Sequence, residues 1–213
     1  MKLWVQALLL AILCSMSWSA VSETDRSWKF RVFLGDKEIG QHRFHVTPRS
    51  DGTHVAIEAS FDVKFLFLNV YSYRHNNVEI WQGGCVQSIE SKTDDNGESF
   101  HVLGNRRGDT FYLQTLDGEN AVEGCIKTFA YWDIDALKST ALLNAQTGEL
   151  TTVALNDLGP SVIDVAGAET PAQHYRLTAE EITIDLWYSV DNGQWLGLQS
   201  TTRQGAVLRY RKL

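Results

Sequence analysis

The chain contains few cysteines, few prolines and fewer basic than acidic residues. Each of these shortages limits the folds or functions that the chain could have. Its 213 residues include 3 cysteines and 3 prolines, with 19 Lys and Arg against 26 Asp and Glu. The resulting net charge of -7 argues against nucleic acid as a partner, because that partner requires a basic face. With so few prolines, no Pro/Ser-rich linker divides the chain. We therefore expect one β-rich domain over residues 23–213.

Motifs for catalysis and for cofactor binding are also missing. The chain has no HExxH, no Gly-x-Ser-x-Gly elbow, no P-loop and no dinucleotide fingerprint, and its six histidines are scattered. We accordingly predict no catalytic residues, no cofactor and no metal site. The acidic run Asp94–Gly97 offers calcium-like oxygen ligands, but it lacks the EF-hand spacing. A hairpin turn selects the same residue types.

The first 22 residues have the features of a secretory signal peptide. Lys2 precedes an apolar run over residues 3–16, and small residues lead to Ser22. The run is too short for a convincing membrane span. We expect a periplasmic protein, with extracellular secretion as the alternative. Removing this leader takes Cys14 and leaves Cys85 with Cys125, a pair that an oxidising compartment favours as one disulfide. Two buried thiols are the alternative.

Alternating apolar residues dominate what remains. Period two runs through residues 28–34, 55–63 and 182–188, which predicts strands with one buried face. Gly- and Asn-rich turn signals separate these runs. We predict an all-β fold, a single curved antiparallel sheet of about ten strands that forms a β-roll or open barrel. One short helix is expected over residues 133–143, anchored to the sheet by the aromatic pair Tyr131 and Trp132.

Two segments and one tryptophan are candidate ligand-binding positions. Phe65 and Phe67 belong to a run of four apolar residues, which suggests a ligand portal or a membrane-touching edge; a strand buried on both faces is the alternative. Arg209 and Arg211 share one face of the last strand and suit a carboxylate or phosphate group. Structural ion pairs on an outer face are the alternative. Trp187 is included for its aromatic surface.

Three groups of residues together resemble a known family. They are Trp81–Cys85 with Ile89–Gly97, Tyr131–Asp133 with Leu142–Gly148, and Leu186–Tyr188 with Asp191–Gly193 and Trp195. Their order resembles an uncharacterised bacterial family of exported β-rich proteins, and a related exported family has a spiral β-roll fold. The resemblance implies a β-roll-like fold and a periplasmic address. It implies no catalytic residues.

These features favour a non-enzymatic exported protein that binds an apolar or amphipathic molecule, or a partner in the cell envelope. Membrane contact without spanning is compatible with this hypothesis. One alternative is an envelope hydrolase of unfamiliar type, assembled from residues such as Asp133, His174 and Asp185. A structural or assembly factor is another.

Overall fold

Fourteen antiparallel strands form one continuous sheet in the computed structural model, which describes residues 24–65, 68–179, 182–201 and 205–213. The predicted leader and Phe67 lie outside the described residues, as does the side chain of Phe65. The strands are β1 (Arg26–Leu34), β2 (Lys37–Arg49), β3 (Gly52–Phe65), β4 (Leu68–Gln82), β5 (Cys85–Asp95), β6 (Glu98–Arg107), β7 (Thr110–Thr115), β8 (Gly118–Glu123), β9 (Ala141–Leu143), β10 (Leu150–Val165), β11 (Ala168–Ala179), β12 (Ile182–Ser189), β13 (Trp195–Thr201) and β14 (Val207–Lys212).

The strand order brings the two ends of the described chain together. It runs β8-β7-β6-β5-β4-β3-β2-β1-β14-β13-β12-β11-β10-β9, so the first and last described strands pair in the middle of the sheet. The all-β curved sheet is confirmed, although the count exceeds the ten strands predicted. The additional strands include β7, β8 and β9, which have only 6, 6 and 3 residues. Runs this short carry too few alternations to be recognised in a sequence.

The predicted helix over residues 133–143 is wrong. Only Ala136–Lys138 form a single 3₁₀ turn, and Ala141–Leu143 instead form β9 against β10. Asp133 does accept a hydrogen bond from the backbone amide of Asp135 at 3.0 Å, as a cap would. The backbone then becomes extended at Ser139, with ψ of 151°, because the following residues pair in the sheet. Tertiary pairing overrides the local helix signal.

A crossing segment, residues 124–149, runs over the concave face of the sheet between β8 and β10. The hydroxyl of Tyr188 donates to the carbonyl of Tyr131 at 2.9 Å and so fastens this segment to β12. Trp132 is 7% exposed and meets Trp81 of β4 edge to face, with ring centroids 5.5 Å apart. The segment therefore fills much of the hollow that the curved sheet creates.

The core is aromatic where the two halves of the sheet meet. Trp195 is fully buried, and its ring lies 4.4 Å from that of Phe30 and 5.0 Å from that of Phe44. Its indole N–H donates to the carbonyl of Gly197 at 2.8 Å, so burial leaves no polar group unpaired. The described residues contain no helix with the length and hydropathy that a membrane crossing requires.

Cys85 and Cys125 form the predicted disulfide. The bond joins the start of β5 to the start of the crossing segment. Next to it, the amide of Val86 donates to the carbonyl of Ile126 at 2.9 Å. The bridge therefore fixes one end of the crossing segment to the sheet.

Removing this disulfide should lower the free energy of unfolding by about 2–4 kcal/mol, because the bond closes a loop of 40 residues in the unfolded chain. Urea unfolding of a double Cys85→Ser, Cys125→Ser variant, compared with the oxidised protein, measures the loss. Equal unfolding midpoints would show that the bridge adds no stability.

Candidate functional site

Buried polar side chains gather in one place on the concave face. Apart from Tyr and Trp, six polar residues are buried among the described residues, each at most 8% exposed: His75, Asn77 and Glu79 of β4, Ser91 and Thr93 of β5, and Thr128 of the crossing segment. Strand register sets His75 beside Thr93 and Asn77 beside Ser91. Burying polar groups is unfavourable unless they are bonded, so their concentration here marks a candidate site.

Strand β4 carries this cluster because, unlike most strands, it turns polar residues inward and an apolar residue outward. Asn77 and Glu79 face inward, whereas Val78 between them faces outward and is 54% exposed. The aromatic residues Tyr73 and Trp81 share the inward face and bracket the polar ones. This shared parity with two aromatics is the signal by which the sequence could have revealed the cluster. Without strand register, however, nothing showed that β5 adds Ser91 and Thr93.

A pocket of about 230 Å³ lies against the polar cluster. Its lining combines apolar residues, which include Phe44, Ile57, Phe129 and Ile184, with polar ones, which include His42, His75, Asn77 and Glu79. Ile182, which is 51% exposed, lines the pocket where it reaches solvent. Larger hollows of about 560 and 660 Å³ lie on the outer face and beside the edge strand β8, but their linings are mainly exposed or half-buried.

Glu79 is the organising group of the polar cluster. Its carboxyl accepts hydrogen bonds from Asn77 Nδ2 at 2.7 Å, from Trp81 Nε1 at 2.5 Å and from the Thr128 hydroxyl at 3.2 Å. Desolvation raises the pKa of Glu79, while these three donors act in the opposite direction. Through Thr128, the same carboxyl also ties the crossing segment to β4.

Two histidines of the pocket are bonded to hydroxyl groups. His75 Nδ1 lies 2.8 Å from Thr93 Oγ1, and His42 Nδ1 lies 3.1 Å from the hydroxyl of Tyr210. Burial lowers the pKa of His75 to about 4; burial and the charge of His75 lower the pKa of His42 to about 3. Both rings are therefore neutral at neutral pH. Neither hydrogen bond joins a carboxylate, so these contacts do not build a His–carboxylate relay.

Acid should destabilise the fold through these two rings. Their pKa values are lower in the folded protein than the ordinary 6.5, so the unfolded chain binds more protons below about pH 6.5. The contribution of the two neutral rings to the free energy of unfolding is complete above that pH. It is lost as the pH falls toward their pKa values in the folded protein. Between pH 7 and pH 5 we expect a loss of about 1–2 kcal/mol for each ring.

Urea unfolding at both pH values measures this loss. The variant His75→Gln should show a smaller fall between pH 7 and pH 5 than the wild-type protein. His45→Gln, at an exposed position on the outward side of β2, is the matched control and should fall as the wild type does. An unchanged slope in His75→Gln would contradict the assignment.

The described residues that the sequence predicts as ligand-binding lie outside this pocket. Trp187, Arg209 and Arg211 are on the outer face of the sheet, opposite the pocket. The Trp187 ring stacks on His174 at 4.6 Å, and Arg211 lies 4.8 Å from the ring centre of Phe33. Register aligns Trp187 and Arg211 through Gly197. A ligand-binding role for these residues stays a prediction, as it does for Phe65 and Phe67.

Arg209 also has hydrogen-bond partners, and so do the residues named for the alternative hydrolase. Arg209 donates to Gln199 Oε1 at 3.2 Å and to the carbonyl of Gly35 at 3.1 Å. His174 lies 3.0 Å from Asp185 on the outer face, whereas Asp133 belongs to the crossing segment on the concave side. The structure does not bring these three together.

The chain belongs to a family of uncharacterised proteins. The profile described as Domain of unknown function (DUF6134) matches residues 30–212, which is nearly all of the described chain. The uncharacterised β-rich family suggested by the sequence is thereby confirmed. No curated protein matches.

Solved structures resemble this fold to differing degrees. The beta-barrel-like protein of DUF1849 from Brucella abortus aligns with a TM-score of 0.62 at 8% identity, covering 89% of this chain and 94% of that one. MucB aligns with a TM-score of 0.30 at 15% identity, over 88% of this chain and 52% of that one. A DUF1329 family protein from Desulfovibrio piger reaches 0.24 at 9% identity, over 91% and 85%. The first likeness shows the fold, and the other two are too weak to support an argument.

Proposed function

We propose that this protein binds a small apolar or amphipathic molecule in the pocket between the sheet and the crossing segment. The observation that carries the proposal is the pocket's mixed lining. Aromatic and aliphatic side chains make up much of it, and the polar cluster around Asn77 and Glu79 lies beside them. Ligand pockets characteristically combine a mostly apolar lining with a few placed polar groups.

The energetics of the cluster support this proposal. The Oδ1 atom of the buried Asn77 amide has no partner among the described residues, which is unfavourable by about 1–3 kcal/mol. A polar group supplied by a ligand would offset that cost. The volume of about 230 Å³ lies below the roughly 300–1,000 Å³ typical of sites for drug-sized ligands, so the ligand is small or only partly enclosed.

We also propose that the protein acts in the periplasm. The apolar run near the start of the chain supports export, and the Cys85–Cys125 bond supports an oxidising compartment. Mass spectrometry of the protein from a periplasmic extract tests this. A mass that matches a start near residue 23 is the expected result, and an intact chain in the cytoplasm would contradict it.

A pocket-filling variant tests ligand binding. Ala179 is 7% exposed and lines the pocket, so Ala179→Leu places extra side-chain atoms where the ligand would lie. Ala154→Leu, at an exposed position on the neighbouring strand β10, is the matched control. Solvent extraction of each purified protein, followed by mass spectrometry, should recover a molecule from the wild type and the control at several-fold higher occupancy than from Ala179→Leu. Wild-type protein that is consistently empty would refute the proposal.

Attachment to an envelope partner is the second candidate function. The observation that favours it is a set of exposed apolar side chains on the outer face: Val78, Leu103 and Tyr112 are 54%, 36% and 45% exposed around the hollow of about 560 Å³, with Glu90 between Val78 and Leu103. Exposed apolar side chains rimmed by polar residues often mark an interaction site. Chemical cross-linking in cells should then capture the wild type and lose the product in Val78→Lys.

A further inference from the structure

The amide of Asn77 is held in one orientation by its neighbour. Its Nδ2 donates to Glu79 Oε1 at 2.7 Å, so turning the amide over would set its carbonyl oxygen against the carboxyl oxygen. The Oδ1 atom has no hydrogen-bond partner among the described residues, although Asn77 is only 2% exposed and lines the pocket. The pocket thus presents a fixed, unused acceptor. A ligand satisfies it only by donating an O–H or N–H group.

The described surroundings of this acceptor include no basic side chain. None of the described residues that line the pocket is Lys or Arg. Arg209 and Arg211, the residues suited to an anion, lie on the opposite face of the sheet. A carboxylate or phosphate group placed beside Asn77 would meet a carbonyl oxygen and the Glu79 carboxyl, and it would lose its hydration without a counter-charge.

A cationic group fits no better. The Glu79 carboxyl already accepts from Asn77, Trp81 and Thr128, so its oxygens have donors before any ligand arrives. His75 and His42 turn their Nδ1 atoms to the hydroxyls of Thr93 and Tyr210. An ammonium group would therefore leave water for a site in which the Glu79 carboxyl is already hydrogen-bonded.

We propose that the pocket selects an uncharged head group that donates a hydrogen bond, such as an aliphatic alcohol or a primary amide, with Asn77 Oδ1 as its acceptor. This inference rests on the proposed function, since it assumes that the pocket holds a ligand. It names the chemical class of that ligand. The apolar remainder of the molecule lies along Phe44 and Ile57 of the neighbouring strands and Phe129 of the crossing segment.

Four probes with the same eight-carbon tail test the head group. Octanol, octanoate, octylammonium and octyl methyl ether are titrated into the delipidated full chain at neutral pH by calorimetry. Octanol should bind about tenfold or more tightly than either ion, because each ion loses its hydration. It should also bind about fivefold to tenfold more tightly than the ether, which accepts but cannot donate.

A matched pair of variants locates the effect. Asn77→Leu should abolish the preference for octanol over the ether. Asn76→Leu makes the same change at the exposed neighbouring position on the outer face and should keep that preference. If Asn77→Leu does not fold, the wild-type series decides alone.

The outcomes separate this inference from the proposed function. Octanoate or octylammonium binding as tightly as octanol, or the ether doing so, would overturn the head-group inference while ligand binding stands. Failure of all four probes to bind the wild type would count against the pocket as a binding site, and the head-group inference would fall with it.

Discussion

Replacing Trp132 with alanine should lower the free energy of unfolding by about 3–5 kcal/mol. The ring is 7% exposed and packs edge to face on Trp81, while the guanidinium of Arg26 lies 5.8 Å from its centre. Truncation removes all of these contacts and leaves a cavity where the crossing segment meets β4. Because the same segment supplies Phe129 and Tyr131 to the pocket, ligand binding should weaken as well.

Two further variants make this prediction specific. Trp132→Phe keeps most of the ring packing and removes an indole N–H that has no partner among the described residues, so we expect a loss of only about 1 kcal/mol. Trp187→Ala makes the same change as Trp132→Ala, but at a half-buried position on the outer face. It should therefore lower the free energy of unfolding clearly less than Trp132→Ala does. Urea unfolding of all three measures the order. A Trp132→Ala protein with wild-type stability would contradict an anchoring role.

The sequence predicted those parts of the fold that depend on local patterns. Alternation over residues 28–34 corresponds to β1, and the run Asp94–Gly97 is the expected turn, with φ of 55° at Asn96 and 93° at Gly97. The amide of Gly97 donates to Asp94 Oδ1 at 2.8 Å, so the acidic residue has a structural role in this turn. Cys85 and Cys125 form the disulfide that the sequence predicts.

The candidate site could not be predicted because it depends on which strands are neighbours. His75, Asn77 and Glu79 alternate along β4, but a polar inward face is invisible in a sequence until the inward side is known. His42 comes from β2 and Thr128 from the crossing segment, 33 and 53 residues from His75 along the chain. Conversely, Arg209 and Arg211 were chosen for their charge, and the face they share proved to be the outer one.

The sequence predicts the burial of the aromatic anchors Tyr131 and Trp132 better than it predicts what they anchor. Tyr131 and Trp132 were expected to fasten a helix to the sheet, and the helix proved wrong. Trp132 is nevertheless buried against Trp81, and the carbonyl of Tyr131 accepts from Tyr188. The apolar surface of a large aromatic side chain is enough to predict its burial. Which element it anchors depends on how the strands pair.

Replacing Glu79 should produce the second large effect. Glu79→Leu removes the acceptor for Asn77, Trp81 and Thr128, and each buried donor left unpaired costs about 1–3 kcal/mol. Relief from burying the carboxyl offsets part of this loss. We expect a net loss of about 3–4 kcal/mol in the free energy of unfolding. Glu79→Gln retains one oxygen acceptor and should lose about 1–2 kcal/mol.

The pH dependence of these variants separates the carboxyl's charge from its hydrogen bonds. The pKa of Glu79 is raised above its ordinary 4.5, so the folded protein binds more protons in the pH range between the two values. The stability that the Glu79 carboxyl gains from its raised pKa is complete below pH 4.5. It declines as the pH rises through that range. The stability difference between the wild type and Glu79→Gln should therefore be larger at pH 5 than at pH 8.

Glu90 provides the matched control on the outward side of β5. It lies opposite Val78, is exposed and pairs with Lys92 at 2.8 Å, so Glu90→Gln should leave the free energy of unfolding nearly unchanged at both pH values. Urea unfolding of the wild type, Glu79→Gln and Glu90→Gln at both pH values provides the comparison. A Glu79→Gln cost that is the same at pH 5 and pH 8 would show that Glu79 titrates as an ordinary carboxyl, and the pocket would then present a full negative charge to its ligand.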